Sequence, residues 1–98
     1  MNLTPKKIIS TMELHRKDIK QFEVKRIGLF GSFLRNEQKK GSDLDFLVEF
    51  KKQSFDNYMG LKFFLEDLFG RKVDLVIEST LKPAFSYVKK EAVYVRRF

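Results

Sequence analysis

The apolar positions of this chain switch between helical and alternating periods, and the switches divide it into elements. Ile8, Ile9, Met12 and Ile19 recur at helical spacing behind Thr4-Pro5, which reads as an N-cap followed by proline at the first helical position. A helix is therefore expected from about Pro5 to Ile19. Val24, Ile27, Leu29 and Phe30 mark a first strand, which Gly31-Ser32 interrupts. Only a short helix fits over Phe33 to Gln38, with Ser32 as its N-cap and Asn36 able to turn left-handed near its end. Lys39 to Ser42 reads as a polar loop. The clearest strand runs from Asp43 to Phe50, with Leu44, Phe46, Val48 and Phe50 on one side and Asp43, Asp45, Leu47 and Glu49 on the other. Leu47 implies that the acidic side is covered beyond Asp45.

Ser54 can cap a helix over Phe55 to Phe69, striped by Tyr58, Leu61, Leu65, Leu68 and Phe69 and stopped at Gly70. Gly60 weakens its middle by about 1 kcal/mol relative to alanine. Arg71 to Glu78 reads as a third strand, with Val73, Leu75 and Ile77 inward and Asp74 beside Val76 on the other face. A final helix from about Leu81 to Lys90 precedes a short edge strand or extended tail over Ala92 to Val95. This order predicts an α+β fold in which a mixed sheet of three or four strands carries helices mainly on one face.

The 98 residues fit one domain, and an apolar fraction of 43% with eleven Phe supports a packed core. The absence of Cys excludes disulfides and thiolate metal sites. No apolar run approaches the roughly 18 residues that would span a bilayer, and no signal pattern opens the chain, so the cytoplasm is the expected location. The net charge of +7 is unevenly spread: residues 1 to 26 and 79 to 98 each carry +4, whereas residues 43 to 78 carry −3. Basic ends flanking an acidic middle suit an anion drawn toward a cation-binding centre, although a solvated basic face gives the same pattern. His15, near the apolar stripe without a second His, reads as structural.

Candidate chemistry concentrates between Gly31 and Asp74. Gly-Ser at the start of a helical turn offers free backbone N–H groups and a hydroxyl to an anion, while Asp43 and Asp45 share one strand face. Asp74 joins them if the third strand pairs beside the second in the correct register. Two carboxylates about 4 Å apart repel by about 4 kcal/mol at an effective dielectric of 20. A hard divalent cation relieves that repulsion and prefers oxygen, so Mg²⁺, with Mn²⁺ able to substitute, is expected at Asp43, Asp45 and Asp74. The third carboxylate allows two ions, the arrangement used in nucleotidyl transfer. Gly31 would let the backbone approach a triphosphate, Ser32 would bind a β- or γ-phosphate oxygen, and Arg35 is placed to reach a phosphate or a nearby backbone carbonyl, with surface solvation the alternative.

Gly31-Ser32, ten residues, then Asp43-Leu44-Asp45 resembles the signature of polymerase-beta-like nucleotidyltransferases, and the short length resembles their minimal nucleotidyltransferase (MNT) branch. Lys72-Val73-Asp74-Leu75-Val76 is similar to that branch's third-carboxylate strand, and Glu91-Ala92-Val93-Tyr94 to its C-terminal end. Asn36 stands where the branch usually has Gly. The resemblance implies a polymerase-beta palm-like fold and the antitoxin of a HEPN/MNT toxin–antitoxin pair. It further implies AMP transfer from ATP to a tyrosine of the HEPN ribonuclease within a hetero-oligomer, with Asp43, Asp45 and Asp74 catalytic and Gly31, Ser32 and Arg35 binding nucleotide. No membrane is involved, and nucleic acid is neither required nor excluded. One alternative is neutralisation by docking alone, through the basic ends and Tyr94, Arg96, Arg97 and Phe98. Another is nucleotidyl transfer to a small molecule or an RNA end.

Overall fold

The computed structural model describes residues 3–96 and 98, so Arg97 lies outside the described residues. Helix α1 spans Pro5–Leu14, and the Thr4 hydroxyl accepts a hydrogen bond from the Lys7 N–H at 3.2 Å. The expected continuation to Ile19 is broken at His15 (φ −103°, ψ 21°), and a separate helix α2 covers Arg16–Lys20. At the break the His15 N–H is shared between the carbonyls of Thr11 and Met12. The His15 ring meets Phe64 edge-on, with centroids 6.1 Å apart, and its Nδ1 lies 3.3 Å from Asp18. Both Met12 and Ile19 are fully buried on either side of this turn. His15 is thus a packing residue.

Strands β1 (Val24–Phe30), β2 (Leu44–Phe50), β3 (Val73–Ile77) and β4 (Val93–Tyr94) form one mixed sheet in the order β3-β2-β1-β4. β1 pairs antiparallel with both β2 and β4, whereas β2 and β3 run parallel. Parallel neighbours need a crossover, and helix α3 (Phe55–Phe69) supplies it. Ser54 caps α3 by accepting from the Asn57 N–H at 3.1 Å, and Gly70 ends it in the left-handed region at φ 62°. Two side chains fasten α3 to the strand it feeds: the Tyr58 hydroxyl donates to the Leu75 carbonyl at 2.6 Å, and Glu66 accepts from the Val73 N–H at 3.1 Å. Gly60 has a packing reason, since a Cβ there would come within 2.7 Å of the Phe22 ring.

The core lies between one sheet face and the helices. Leu44, Phe46, Val48, Ile27 and Leu29 are fully buried and cluster with Ile8, Met12, Ile19, Leu61 and Leu65. Leu47, on the opposite face, is also fully buried, and Val88 is 8% exposed; both lie outside that cluster. The acidic face is therefore covered beyond Asp45, as its pattern implied.

Of two expected helices, one is not formed and the other is shortened to its second half. Phe33 to Gln38 makes only a turn: the Arg35 N–H bonds to the Gly31 carbonyl at 3.1 Å and the Glu37 N–H to the Ser32 carbonyl at 2.8 Å. Asn36 at φ 58° prevents propagation. The segment after β3 divides into 3₁₀ turns at Glu78–Thr80 and Pro83–Phe85 and helix α4 at Tyr87–Glu91. Pro83 disfavours helical backbone at the residue before it, and Lys82 is extended (φ −69°, ψ 153°), so a helix could not start at Leu81 and run through that step.

Candidate active site

The sheet brings its two central acidic positions side by side. β2 and β3 pair in a register that sets Asp45 opposite Asp74, and the antiparallel pairing of β1 sets Phe30, the residue before Gly31, opposite Asp45. The Gly-Ser turn consequently rises directly beside the Asp45 carboxylate.

Gly31 is required for that proximity. It sits at φ 80°, and an added Cβ would fall on the Asp45 carboxylate. The bare α-carbon leaves the space that the carboxylate fills, a more immediate reason for glycine than the approach of a triphosphate. Ser32 does not cap a helix, because none is formed there. Among the described residues its hydroxyl makes no hydrogen bond, and its backbone amide lies against Asp45.

Asp45 is held well above the ordinary carboxylate range, at about 6. Burial is the main cause, and the charge of Asp74 adds to it; the Ser32 amide, the weaker influence of Asp43 and the favourable charge of Arg35 follow. Asp43 and Asp74 are both exposed. No group of three or more His, Asp or Glu among the described residues converges closely enough to enclose an ion unaided. The donor set nevertheless fits a hard cation: it consists of carboxylate oxygens, and one carboxylate carries a desolvation and repulsion penalty that a bound cation would remove. A substrate phosphate would supply further oxygen ligands, as is usual for Mg²⁺.

Arg35 joins the site through the same turn. Its Nε donates to Glu37 at 2.6 Å and its Nη1 to Glu91 of α4 at 3.4 Å, with 49% of the side chain exposed. Its charge reaches Asp45. The sequence reading missed Glu91 as a partner, since 56 residues separate it from Arg35.

A second group missed from sequence crosses the same sheet face farther along the strands. Arg26 of β1 donates to Glu78 through Nε at 2.8 Å and Nη2 at 2.9 Å, and its Nε also lies 3.2 Å from Glu49 of β2. Tyr94 of β4 reaches over Gly28, donates to Glu78 at 3.2 Å, and lies 5.0 Å from the Arg26 guanidinium by its ring centroid. Glu78, only 4% exposed, is the anchor of this group. Alternation gave a signal for it, because the expected third strand ran through Glu78, one residue past the end of β3, and set positions 74, 76 and 78 on one face. Arg26→Ala would leave a buried carboxylate without its fork of donors, and a loss of about 2 kcal/mol in thermal or urea unfolding is expected.

Residues 12–98 match the family model described as a nucleotidyltransferase domain. The protein adenylyltransferase MntA of Thermococcus cleftensis is 42% identical over 96 residues, covering 95% of this chain and 97% of that relative. A solved structure described as a minimal nucleotidyltransferase superposes with a TM-score of 0.71 at 33% identity, over 87% of this chain and 93% of the other. The fold also matches, with a TM-score of 0.63 at 17% identity, the complex of a tri-AMPylated HEPN toxin with its MNT antitoxin from Shewanella oneidensis, over 92% of this chain and 73% of that one. With its paired carboxylates beside a Gly-Ser turn, the chain belongs to the nucleotidyltransferase domain family, in its minimal nucleotidyltransferase branch.

Proposed function

We propose that this protein is a cytoplasmic, Mg²⁺-dependent protein adenylyltransferase antitoxin that transfers AMP from ATP to a tyrosine of a HEPN ribonuclease toxin. The observation that carries the reading is the Asp45 carboxylate, seated against the bare α-carbon of Gly31 and set opposite Asp74. That placement costs stability in the unliganded chain and has no structural benefit, so a function is the economical reason for it. The relative named for protein adenylyl transfer, over nearly its whole length, supports the same chemistry.

Asp43, Asp45 and Asp74 would hold Mg²⁺, whose contribution when bound is to lower the pKa of the acceptor hydroxyl and to neutralise charge around the α-phosphate. The chain's own groups do the remaining work. The Ser32 hydroxyl binds a β- or γ-phosphate oxygen, and Arg35 exchanges a carboxylate partner for phosphate. Asp74, more exposed than Asp45, accepts the proton of the attacking phenol. The toxin brings its own acceptor surface.

Intact mass spectrometry of the HEPN partner after incubation with this protein, ATP and Mg²⁺ tests the reading. One or more adenylates are expected, and Asp43→Asn should reduce them to background. An unmodified partner would overturn the transferase reading, and growth rescue by Asp43→Asn would show that neutralisation rests on docking.

A further inference from the structure

The chain has three tyrosines, and two of their hydroxyls are engaged. Tyr58 donates to the Leu75 carbonyl, and Tyr94 donates to Glu78 beneath the Arg26 guanidinium. Burial, followed by the charge of Glu78, holds the Tyr94 phenol above its ordinary value, so it is a poor nucleophile as well as a half-buried one. Tyr87 differs in exposure and in hydrogen bonding. It is 52% exposed, and among the described residues its hydroxyl has no hydrogen-bond partner.

Its position is the second observation. Tyr87 opens α4 and Glu91 closes it, so the two side chains stand one turn apart on the same side of the helix. Glu91 Oε2 lies 3.4 Å from Arg35 Nη1. Arg35 is raised first by its hydrogen bond to Glu37, with Glu91 and then Tyr87 adding to the effect, and its charge also reaches Asp45. A free phenol thus stands one helical turn from the carboxylate that pairs with the arginine assigned to phosphate. Phenol is also the acceptor class of the proposed reaction.

We propose that Tyr87 is a self-adenylylation site, a second acceptor for the same AMP transfer. This inference rests on the adenylyltransferase reading above. The Tyr87 hydroxyl oxygen attacks the α-phosphorus of ATP. A phosphorus–oxygen bond forms to the phenol as the bond from the α-phosphorus to the bridging oxygen breaks, and pyrophosphate leaves with that electron pair. The phenolic proton passes to the Asp74 carboxylate and then to water, and nothing is oxidised or reduced. The product is a phosphodiester carrying one negative charge beside Arg35, where it competes with Glu91 and with the phosphates of the next ATP. Self-modification therefore slows the transfer to the partner protein.

The full chain is incubated with ATP and Mg²⁺, with and without the HEPN partner, and both proteins are followed by intact mass and peptide mapping. The expected result is one adenylate on this chain, mapped to Tyr87 and absent from Tyr87→Phe and Asp43→Asn, with the partner still modified by Tyr87→Phe. Tyr58→Phe should keep the mark. A modified partner beside an unmodified chain, or a mark that survives in Tyr87→Phe, overturns this proposal and leaves the transferase reading standing. If neither protein gains adenylate, both fall.

Discussion

Asp45→Asn is expected to abolish nucleotidyl transfer and, at pH 8, to make the protein more stable than the wild type. In the folded chain the Asp45 carboxyl titrates at about 6, against an ordinary value of 3.8. The folded state thus binds a proton more tightly than the unfolded state, so this group's contribution to stability is fully present at low pH. It is lost as pH rises between those two values and stays lost above them. A shift of this size corresponds to at most about 3 kcal/mol, and allowing for screening at a half-buried group reduces it to about 1–2 kcal/mol. For a domain of this length that is a rise in Tm of about 5 °C or more. Thermal unfolding at about pH 3.5 and about pH 8, on either side of those two values, checks the sign: the gain should be present at the higher pH and nearly vanish at the lower. Added Mg²⁺ should raise the Tm of the wild type and leave that of Asp45→Asn almost unchanged. A variant less stable than wild type at both pH values would refute the account.

Gly31→Ala is expected to lose most of its activity for a different reason, and to move stability in the opposite direction. An alanine at φ 80° is strained, by about 1–2 kcal/mol. Its methyl group would also occupy the position of the Asp45 carboxylate. The carboxylate must swing away from Asp74 or the turn must open, and a displacement of about 1 Å at a reacting centre lowers turnover roughly 100-fold. Differential scanning calorimetry should show a lower Tm than wild type, paired with the lost AMP transfer. The two impaired variants therefore separate in the melting experiment, one upward and one downward. That separation distinguishes a penalty carried by the ionised carboxylate from general damage to the turn.

Much of this arrangement could be read along the chain because local signals agreed with one another. β1 and α3 fall where the apolar period, Ser54 and Gly70 placed them, and the pairing of Asp45 with Asp74 follows once β3 lies beside β2. The short elements were harder. A helix of one or two turns gains too little from its own hydrogen bonds to be set by sequence alone, and His15 and the segment after Ile77 follow tertiary contacts instead. Pro83 was nonetheless a legible signal against starting the last helix at Leu81, because it favours extended backbone at Lys82. Gly60 looked like a weakness until the Phe22 ring explained it. The contacts of Arg35 with Glu91 and of Arg26 with Glu78 span 56 and 52 residues, distances over which periodicity carries no information.

The attachment of α3 to β3 has a consequence for which parts of the chain can vary. Ser54 starts the helix, Gly70 stops it, and Tyr58 and Glu66 pin it to Leu75 and Val73, on either side of Asp74. The helix therefore acts as a gauge block. The number of residues between its caps fixes how far β3 slides along β2, and so whether two carboxylates across the sheet meet or miss. One residue more or less would also turn Asp74 toward the core, because side chains alternate along a strand. The loop around Gly41, where a side chain would meet nothing, carries no such constraint. Length in this small fold is free at the rim and dimensioned in the helix, on the side of the molecule away from the reaction.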